Sequence, residues 1–531
     1  MPPPISRKSK SNNPIEGRNL DTERLKILIA SPEVVPFAKT GGLADVSGAL
    51  PNALAKLGHR VKVIMPKYGM VNQDKLGLSD VEANFPQIPV GDSKKDISAK
   101  RCISGRPHQV EWLFAANDEY FDREELYKDQ STGFDYHDND QRFIFFSRGT
   151  LEILKALKWR PDIIHANDWQ SALIVAYLRT LYAGDEFFKD TATVFSIHNL
   201  AYQGTFPKTT FEKIGVSKAL FYPTSPFEFW GKVNFMKAGI CYADVISTVS
   251  ETYAVEIQSG SEYGYGLEGV LRSRNADLFG IVNGIDYGVW SPESDKLISH
   301  SFSPGDLSGK RKNKELLLKL CNLPLSKRDV PLIGIISRLA DQKGFDLLAK
   351  IADELLALNL QLVILGTGDE KYHRLFTAMR AKYPKNISVN LLFDNSLAHL
   401  IEAGSDMFLM PSRYEPCGLN QLYSLKYGTV PIVRETGGLA DTIQNYDPET
   451  GQGTGFVFKN YEASELLETV KLALRVYEDK KAWSELMQNG MKKDFSWESS
   501  ARKYVELYGK ALEKVRAGSG QGKEVPGQKQ A

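Results

Sequence analysis

Two short segments near opposite ends of the chain repeat each other and constrain the fold more than any other feature. Residues 40–45 and 436–441 both read Thr-Gly-Gly-Leu-Ala-Asp. Each follows a strand-like apolar run, at Lys26–Ala30 and Val430–Val433, and each leads into a helical pattern. A glycine pair at a strand-to-helix turn lets the backbone approach a ligand, and the amides of the helix start favour an anion. The repeat therefore predicts two similar α/β units, each with an anion-binding turn at a shared cleft.

The two copies differ in charge. Lys39 directly precedes the first copy, whereas Glu435 precedes the second. A lysine beside an anion-binding turn adds a cation that a phosphate group would contact. We therefore predict that Lys39, together with the turn formed by Gly41 and Gly42, contacts a phosphate group.

Composition argues against several classes of function. The 66 Lys and Arg residues balance the 65 Asp and Glu residues, so the net charge of +1 gives no large basic field for nucleic acid. No apolar run approaches the roughly 18 residues that a membrane helix needs. The four cysteines are scattered without a CxxC pair, which disfavours a disulfide scaffold or a zinc site. We expect a cytoplasmic protein with no nucleic-acid or membrane partner, although a plastid location stays open.

Strand-like runs alternate with helical patterns over most of the chain, which predicts parallel sheets with helices on both faces. A turn-rich stretch from Trp290 to Asp306 separates two series of such runs. We therefore predict two α/β domains, at residues 25–290 and 325–493. The polar segments at residues 1–24 and 516–531 are expected to be disordered tails.

Polar residues follow several predicted strands, at the edge where open α/β sheets bind ligands. In the first half these are His165, Asp168, His198 and Asn199. A lone histidine is usually structural, but two at strand ends beside Asn or Asp favour a functional site. Their spacing does not define a metal site.

Two cations and a carboxylate follow strands of the second half. Arg338 and Lys343 lie on a turn before a helix and could hold a diphosphate and stabilise its charge as it leaves. The alternative is a surface pair at a helix start, which the helix dipole disfavours. Glu415 suits sugar hydroxyls, and Gly418, which opens a helix, suits phosphate, although a plain loop is the alternative.

Two further signals are discounted. Asp138–Asp140 matches the D-x-D pattern of metal-dependent sugar transferases, but no strand precedes it and so short a pattern is common by chance. Gly366–Gly368 lacks the third glycine of the dinucleotide fingerprint, so we expect it only to close a strand and start a helix.

Over about residues 25–512 the chain resembles bacterial glycogen synthases and plant starch synthases. The resemblance rests on motifs that occur together and in order, at Lys39–Val46, His198–Gly204, Asn283–Asp286, Ser337–Gly344, Pro411–Leu419, Tyr427–Pro431 and Thr436–Asp441. It implies an α/β GT-B fold, in which two Rossmann-like domains face a cleft and a last helix, at residues 494–515, crosses back to the first domain. It also implies transfer of glucose from ADP-glucose to the non-reducing end of an α-1,4-glucan, with retention and without a metal or other cofactor.

The resemblance further implies roles for individual residues. It assigns catalysis to Arg338, Lys343, Glu415 and His198. It assigns donor binding to Lys39, Gly41, Gly42, Arg338, Lys343, Phe393, Glu415, Cys417, Gly418 and Leu419, and the acceptor or sugar side to Asp45, Asp168 and Asn199. Phe393 stands where some relatives have a tyrosine against the adenine, and a phenyl face can still stack there.

The sequence leaves the mechanism and two rival functions open. No carboxylate pair is predicted at the spacing of retaining glycosidases, so we favour front-face attack in which a leaving phosphate oxygen takes the acceptor proton. One rival is a glucan-binding protein without turnover. The other is an enzyme with a different donor, such as UDP-glucose, or a phosphorolytic enzyme with a lysine-bound cofactor.

Overall fold

The computed structural model describes residues 24–105 and 107–520. Its framework is two separate β-sheets, each covered by helices on both faces. Apolar runs such as Ile27–Ala30 and Leu362–Leu365 are buried throughout, as expected for strands enclosed on both faces. The predicted α/β class is confirmed.

Nine strands form the larger sheet. Up to residue 280 the strands in the described part of the chain are β1 (Lys26–Ala30), β2 (Arg60–Pro66), β3 (Ser79–Asp80), β4 (Ile88–Val90), β5 (Ser93–Lys95), β6 (Ser98–Ser104), β7 (Val110–Ala116), β8 (Ile163–Asn167), β9 (Ala192–Ile197), β10 (Thr205–Phe206), β11 (Glu228–Phe229), β12 (Lys232–Asn234), β13 (Val245–Thr248) and β14 (Leu278–Gly280). The order is β14-β13-β9-β8-β1-β2-β7-β6-β3, parallel from β14 to β7 and antiparallel beyond. β10, β12 and β11 form a small antiparallel sheet, and β4 pairs with β5.

Helices connect these strands. They are α1 (Gly42–Lys56), α2 (Gln73–Leu76), α3 (Asp118–Phe121), α4 (Asn139–Ala156), α5 (Asp168–Arg179), α6 (Thr210–Ile214), α7 (Phe235–Tyr242), α8 (Glu251–Ser259), α9 (Ser261–Gly264) and α10 (Glu268–Ser273).

The smaller sheet is parallel throughout. Its strands are β15 (Leu332–Ile336), β16 (Gln361–Leu365), β17 (Ile387–Asn390), β18 (Met407–Met410), β19 (Val430–Arg434) and β20 (Phe456–Phe458), in the order β17-β16-β15-β18-β19-β20. The helices from here onward are α11 (Ser308–Leu320), α12 (Phe345–Lys350), α13 (Ala352–Ala357), α14 (Glu370–Lys382), α15 (Asn395–Gly404), α16 (Asn420–Lys426), α17 (Gly437–Thr442), α18 (Ala463–Glu478), α19 (Lys480–Met491) and α20 (Trp497–Gly520). Across the described ranges, none of the helices has the length and apolar character that a bilayer crossing requires.

Both sheets reverse their strand order at one point, between β1 and β8 in the larger sheet and between β15 and β18 in the smaller. At such a reversal the loops after neighbouring strands diverge and leave a crevice at the carboxyl ends of the strands. The smaller sheet has the complete strand order of a Rossmann fold, and the larger sheet contains the same order extended at both edges. Ligand binding is therefore expected at the loops after β1, β8, β15 and β18.

The connection between the sheets packs on the smaller one. The ring of Trp290 stacks between those of His399 and Tyr423, with centroid distances of 3.7 and 3.9 Å. Leu317 of α11 is buried in the apolar cluster around the smaller sheet. The segment from residue 290 to residue 324 therefore packs with the second domain, although its sequence is rich in turn residues. The ring stacking of Trp290 and the burial of Leu317 hold it against the smaller sheet.

The last helix crosses back to the first domain. Tyr504 and Tyr508 are fully buried in the core of the larger sheet, and the Tyr508 hydroxyl lies 3.0 Å from Nδ1 of His165. The helix continues to Gly520, past the predicted boundary at residue 515, because helix propagation is cooperative once several turns are packed. The rest of the two predicted tails, residues 1–23 and 521–531, lies outside the described residues.

Candidate active site

The glycine turn after β1 brings Lys39 to the carboxyl edge of the larger sheet. α1 begins at Gly42 with Gly41 as its N-cap residue. Lys39 is about half exposed, and its Nζ lies 2.7 Å from Oδ1 of Asp45. Burial raises the pKa of Asp45, although the charge of Lys39 opposes that shift. The predicted phosphate contact is thus paired with a carboxylate from its own motif.

The carboxylate of Glu33 binds backbone amides of the glycine turn, where the sequence predicts that an anion binds. Its carboxylate accepts hydrogen bonds from the backbone amides of Thr40 (2.6 Å) and Gly41 (3.1 Å) and from the Thr40 hydroxyl (2.5 Å). The Tyr127 hydroxyl donates to the same carboxylate at 2.8 Å. Sequence reasoning missed Glu33, and its position just after β1, at the reversal of strand order, was the available signal. Its role here is to hold the glycine turn.

Asp168 opens α5 directly after β8, with a φ of 56°. Its carboxylate accepts a hydrogen bond of 2.8 Å from the backbone amide of His198. Burial raises the pKa of Asp168 to about 7, although the amide of His198 opposes the shift. Beside them, the side chain of Asn199 accepts a hydrogen bond from the amide of Ala201. The predicted acceptor-side residues Asp168 and Asn199 are therefore brought together with His198.

His198 is a neutral imidazole. Burial lowers its pKa to about 3. Its Nε2 lies 2.9 Å from Oδ1 of Asn167, whose amide nitrogen donates to the carbonyls of Ala30 and His165. This arrangement makes Oδ1 the acceptor, so Nε2 carries the proton and Nδ1 keeps its lone pair. His198 can therefore accept a hydrogen bond from a hydroxyl group.

The loops after β15 and β18 bring Lys343 and Glu415 together. Nζ of Lys343 donates to Oε2 of Glu415 at 2.6 Å, and the Ser412 hydroxyl donates to the same oxygen at 3.1 Å. Arg338 is more exposed, and its guanidinium lies 3.4 Å from the hydroxyl of Tyr202 in the first domain. The second domain thus presents one cation fixed by a carboxylate and one that reaches across to the facing domain.

Gly344 allows these two loops to approach closely. Its φ is +75°, and a Cβ at this position would lie 1.9 Å from the carbonyl oxygen of Pro411. The backbone amide of Arg413 also donates to the carbonyl of Gln342 at 2.8 Å. A residue with a side chain would force the loop that carries Lys343 away from the loop that carries Glu415.

The remaining predicted donor residues follow β17 and β18. Leu419 meets the first domain, because its Cδ1 would lie 3.6 Å from a Cβ on Gly42. Gly418 takes a φ of +72° between Leu419 and Cys417, whose buried thiol has its pKa raised by burial to about 12. Phe393 lies in the loop after β17 and is 83% exposed. Its ring therefore presents an accessible face.

The second glycine turn contacts the first domain. Glu256 of α8 accepts hydrogen bonds from the Thr436 hydroxyl at 2.8 Å and from the backbone amide of Gly437 at 3.1 Å. Asp441 accepts bonds from the backbone amide and hydroxyl of Thr252. Both repeated turns therefore hold a glutamate, Glu33 within its own domain and Glu256 across the interface.

The features that sequence reasoning discounted have structural roles. Asp138 pairs with Arg123, and Asp140 pairs with Lys213. Gly366 and Gly368 lie so close to the loop after β15 that a side chain would not fit. A Cβ on Gly366 would lie 1.9 Å from the carbonyl oxygen of Ser337. His165, which we considered with the site residues, is fully buried and contacts the crossing helix.

The arrangement combines cations with hydroxyl-binding groups. Lys39 lies on one side of the interface, and Arg338 and Lys343 lie on the other. Fixed cations stabilise negative charge that develops on a leaving group, most strongly where water is excluded. His198, Asp168 and Glu415 supply acceptors of the kind that bind sugar hydroxyls.

Comparisons with known proteins agree with this chemistry. Residues 26–273 match the family described as "Starch synthase catalytic domain", and residues 324–489 match "Glycosyl transferases group 1". The chain is 49% identical to proteins named glycogen synthase from Koribacter versatilis, over 93% of this chain and 99% of the relative, and from Desulforudis audaxviator, over 92% and 97%. The catalytic domain of starch synthase IV from Arabidopsis thaliana, solved with ADP and acarbose, superposes with a TM-score of 0.83 at 32% identity, over 92% of this chain and 100% of that one.

Proposed function

Because the chain belongs to the family of glycogen synthases and starch synthases, we propose that it transfers glucose from ADP-glucose to the non-reducing end of an α-1,4-glucan. It is a glucosyltransferase with the two-domain fold of that family, whose members use a nucleotide sugar and a glucan acceptor. Retention of the anomeric configuration is typical of the family and is part of the proposal. A cytoplasmic location stays a prediction.

One observation carries the proposal: the glycine turn that bears Lys39 meets the loop that bears Glu415. Cδ1 of Leu419 would lie 3.6 Å from a Cβ on Gly42, so these two loops face each other across the interface, and the Arg338 guanidinium lies 3.4 Å from the Tyr202 hydroxyl of the facing domain. A diphosphate held there would meet cations from both domains. Closure of the domains on the donor is a corollary, since neither domain carries all of the donor contacts.

Arg338 and Lys343 are proposed to stabilise the diphosphate as the bond to the anomeric carbon breaks. Glu415 holds the ammonium group of Lys343 in position, so little reorganisation is needed when charge develops. The acceptor hydroxyl would attack from the face that the diphosphate leaves. Its proton would pass to the departing phosphate oxygen.

The sugar would lie between Glu415 and the first domain. His198 would accept a hydrogen bond at Nδ1 from a glucose hydroxyl, and Asp168, Asn199 and Asp45 would line the sugar and acceptor side. Phe393 would stack on the adenine, and Cys417, Gly418 and Leu419 would contribute the loop backbone that surrounds the diphosphate. These roles extend the family assignment to single residues.

Substitution of Lys343 tests the proposal. Lys343→Ala and Arg338→Ala are each expected to lower turnover of ADP-glucose with a glycogen acceptor by about a hundredfold, because each removes a fixed cation from the leaving group. Lys319→Ala, which removes an exposed lysine of α11, is the matched control and is expected to keep full activity. Near-wild-type turnover in both site variants would refute the assignment.

The same assay separates the rival functions. A binding protein would retain labelled glucan without lengthening it, whereas a transferase adds labelled glucose from ADP-glucose. Parallel measurements with ADP-glucose and UDP-glucose identify the donor, and higher kcat/KM for UDP-glucose would overturn the proposed substrate. A visible absorption band from a lysine-bound cofactor would instead indicate phosphorolysis.

A further inference from the structure

Trp230 is an exposed aromatic residue in an unfavourable backbone conformation. It lies at the tip of the hairpin between β11 and β12, is 83% exposed, and has a φ of 52°, followed by Gly231 with a φ of 77°. Two consecutive positive φ values are typical of a type I′ turn, where Asn-Gly is the favoured pair and a bulky first residue is strained. Tryptophan therefore costs stability here, and its exposed ring gains little packing within the chain.

Hydrogen bonds hold the backbone of the hairpin tip that carries this ring. The carboxylate of Glu228 accepts hydrogen bonds from the backbone amides of Gly231 at 2.6 Å and Thr224 at 2.8 Å. Nζ of Lys237 donates to the backbone carbonyl of Glu228 at 2.6 Å. Because the turn is hydrogen-bonded on both sides, the backbone that carries Trp230 is ordered before a ligand binds, which lowers the entropic cost of binding.

The indole lies beside a segment of the first domain that faces the second domain. Its Nε1 would be 3.6 Å from a Cβ on Gly266, so the ring rests against the segment that follows α9. The carbonyl of the preceding residue, Tyr265, accepts a hydrogen bond from Gln203, and the ring of Tyr265 lies 6.1 Å from that of Tyr414. Tyr414 directly precedes Glu415 of the candidate site. A short series of contacts therefore links Trp230 to the reacting centre.

The small sheet that carries the hairpin also packs on the acceptor side of the site. Phe206 of β10 lies 5.6 Å from the ring of Trp169, and Phe235 lies 6.3 Å from it. Trp169 follows Asp168 in the chain, and β10 pairs with β12, the strand after the hairpin tip. The sheet thus extends outward from the acceptor-side residues and ends at Trp230.

The surroundings of the indole favour a neutral ligand. The charged residues of the hairpin are Lys232 and Glu228, and beside the indole Glu268 accepts a hydrogen bond of 2.9 Å from the amide of Gly266, so the tip has no cation cluster for phosphate or nucleic acid. A flat indole with one N–H donor suits a ligand that has both apolar faces and hydroxyl groups. Pyranose rings in a glucan have that combination.

We propose that Trp230 is a glucan-binding subsite at the rim of the cleft, where it stacks on a sugar ring of the acceptor chain beyond the reacting end. This inference rests on the proposed function, because it assumes that an α-1,4-glucan is the acceptor. It adds a contact outside the donor and sugar residues described above. Trp230 acts on acceptor affinity and takes no part in bond breaking.

Trp230→Asn is the sharpest test, because asparagine favours the left-handed conformation and forms the preferred Asn-Gly turn. The variant is expected to melt at or above the wild-type temperature. Its KM for maltoheptaose is expected to rise about tenfold through loss of one aromatic contact, while its KM for ADP-glucose stays at the wild-type value. Trp230→Tyr, which keeps an aromatic face, is expected to restore most of the acceptor affinity. Leu320→Ala removes an exposed apolar side chain from α11 and is the matched control.

The outcomes separate the inference from the proposed function. An unchanged KM for maltoheptaose in Trp230→Asn overturns the subsite, as does an equal rise in the KM for ADP-glucose. Conversion of an oligomer to a monomer, with unchanged acceptor KM, would show that a second copy of the chain covers the ring. If wild-type protein fails to transfer glucose, the proposed function fails. Calorimetric titration with maltoheptaose then tests the subsite alone, and equal affinity in wild type and Trp230→Asn would overturn it.

Discussion

Each lysine of the candidate site is held by a carboxylate from its own domain. Lys39 pairs with Asp45 at a partly exposed position, where such a pair contributes at most about 1 kcal/mol to stability. Lys343 pairs with Glu415, which is largely buried. Each pair therefore holds its cation in position before a polyanion enters the cleft.

At the same scale, Asp168 is expected to make stability depend on pH. Its pKa of about 7 lies above the value near 3.9 of an unfolded aspartate, so the native state retains a proton that the unfolded chain releases. Stability therefore falls as pH rises from about 4 to 7. Asp168→Asn cannot ionise, and its Oδ1 can still accept the His198 amide. It is expected to be more stable than wild type at pH 8, by at most about 4 kcal/mol, and equal to it at pH 4.

Thermal melting of wild type and Asp168→Asn between pH 4 and 8 checks this expectation. Asp92→Asn, at an exposed aspartate, is the control for loss of a carboxyl group. Parallel curves for wild type and Asp168→Asn would show that the carboxyl of Asp168 does not titrate in this interval.

The sequence reveals the site residues that follow a strand and carry an unusual charge. Lys39, Arg338 and Glu415 could be singled out because the ends of parallel strands share one edge of a sheet. Glu33 also follows β1, but its role could not be predicted, because that role depends on the loop folding back until its carboxylate meets the amides of Thr40 and Gly41. For the same reason, no local pattern predicts that Glu256 contacts the second glycine turn.

At the scale of elements, the loops after β15 and β18 form one unit. Gly344→Ala is expected to destabilise the second domain by at least about 2 kcal/mol, because it adds a left-handed alanine and a clash with the Pro411 carbonyl. It should also lower kcat/KM, since Lys343 is the preceding residue. Melting temperature and glucosyl transfer measure the two effects.

Gly451→Ala is the matched control for that substitution. Gly451 has a similar φ of +69°, but a Cβ there meets nothing within 4 Å. The difference between the two variants isolates the close approach of the loops. Equal losses of stability and of kcat/KM in both variants would show that the left-handed backbone conformation alone explains the effect.

Elements with long apolar runs could be predicted from the sequence, whereas edge elements could not. The strand-like runs predicted at Lys26–Ala30 and Val430–Val433 are both observed, as β1 and β19. β6 was not predicted, because it lies near the sheet edge and its residues are mainly polar or exposed. β20 has only three residues, too few for a period to be read.

At the scale of the whole molecule, the two domains use the same turn for different purposes. The first copy bears Lys39, whereas the second donates hydrogen bonds to Glu256 of α8 in the first domain. Together with the Thr252–Asp441 contact, this holds the domains beside the candidate site. The internal repeat predicts two similar halves. It does not predict which copy contacts the other domain, because that depends on how the two domains pack together.

The central claim is that cations from both domains surround the two phosphates of one nucleotide. A crystal structure of the protein with ADP tests it most directly. We predict that the diphosphate lies within hydrogen-bonding distance, about 3 Å, of Arg338 and Lys343, with Lys39 facing it from the first domain. ADP bound elsewhere, without contact to any of these three side chains, would contradict the account.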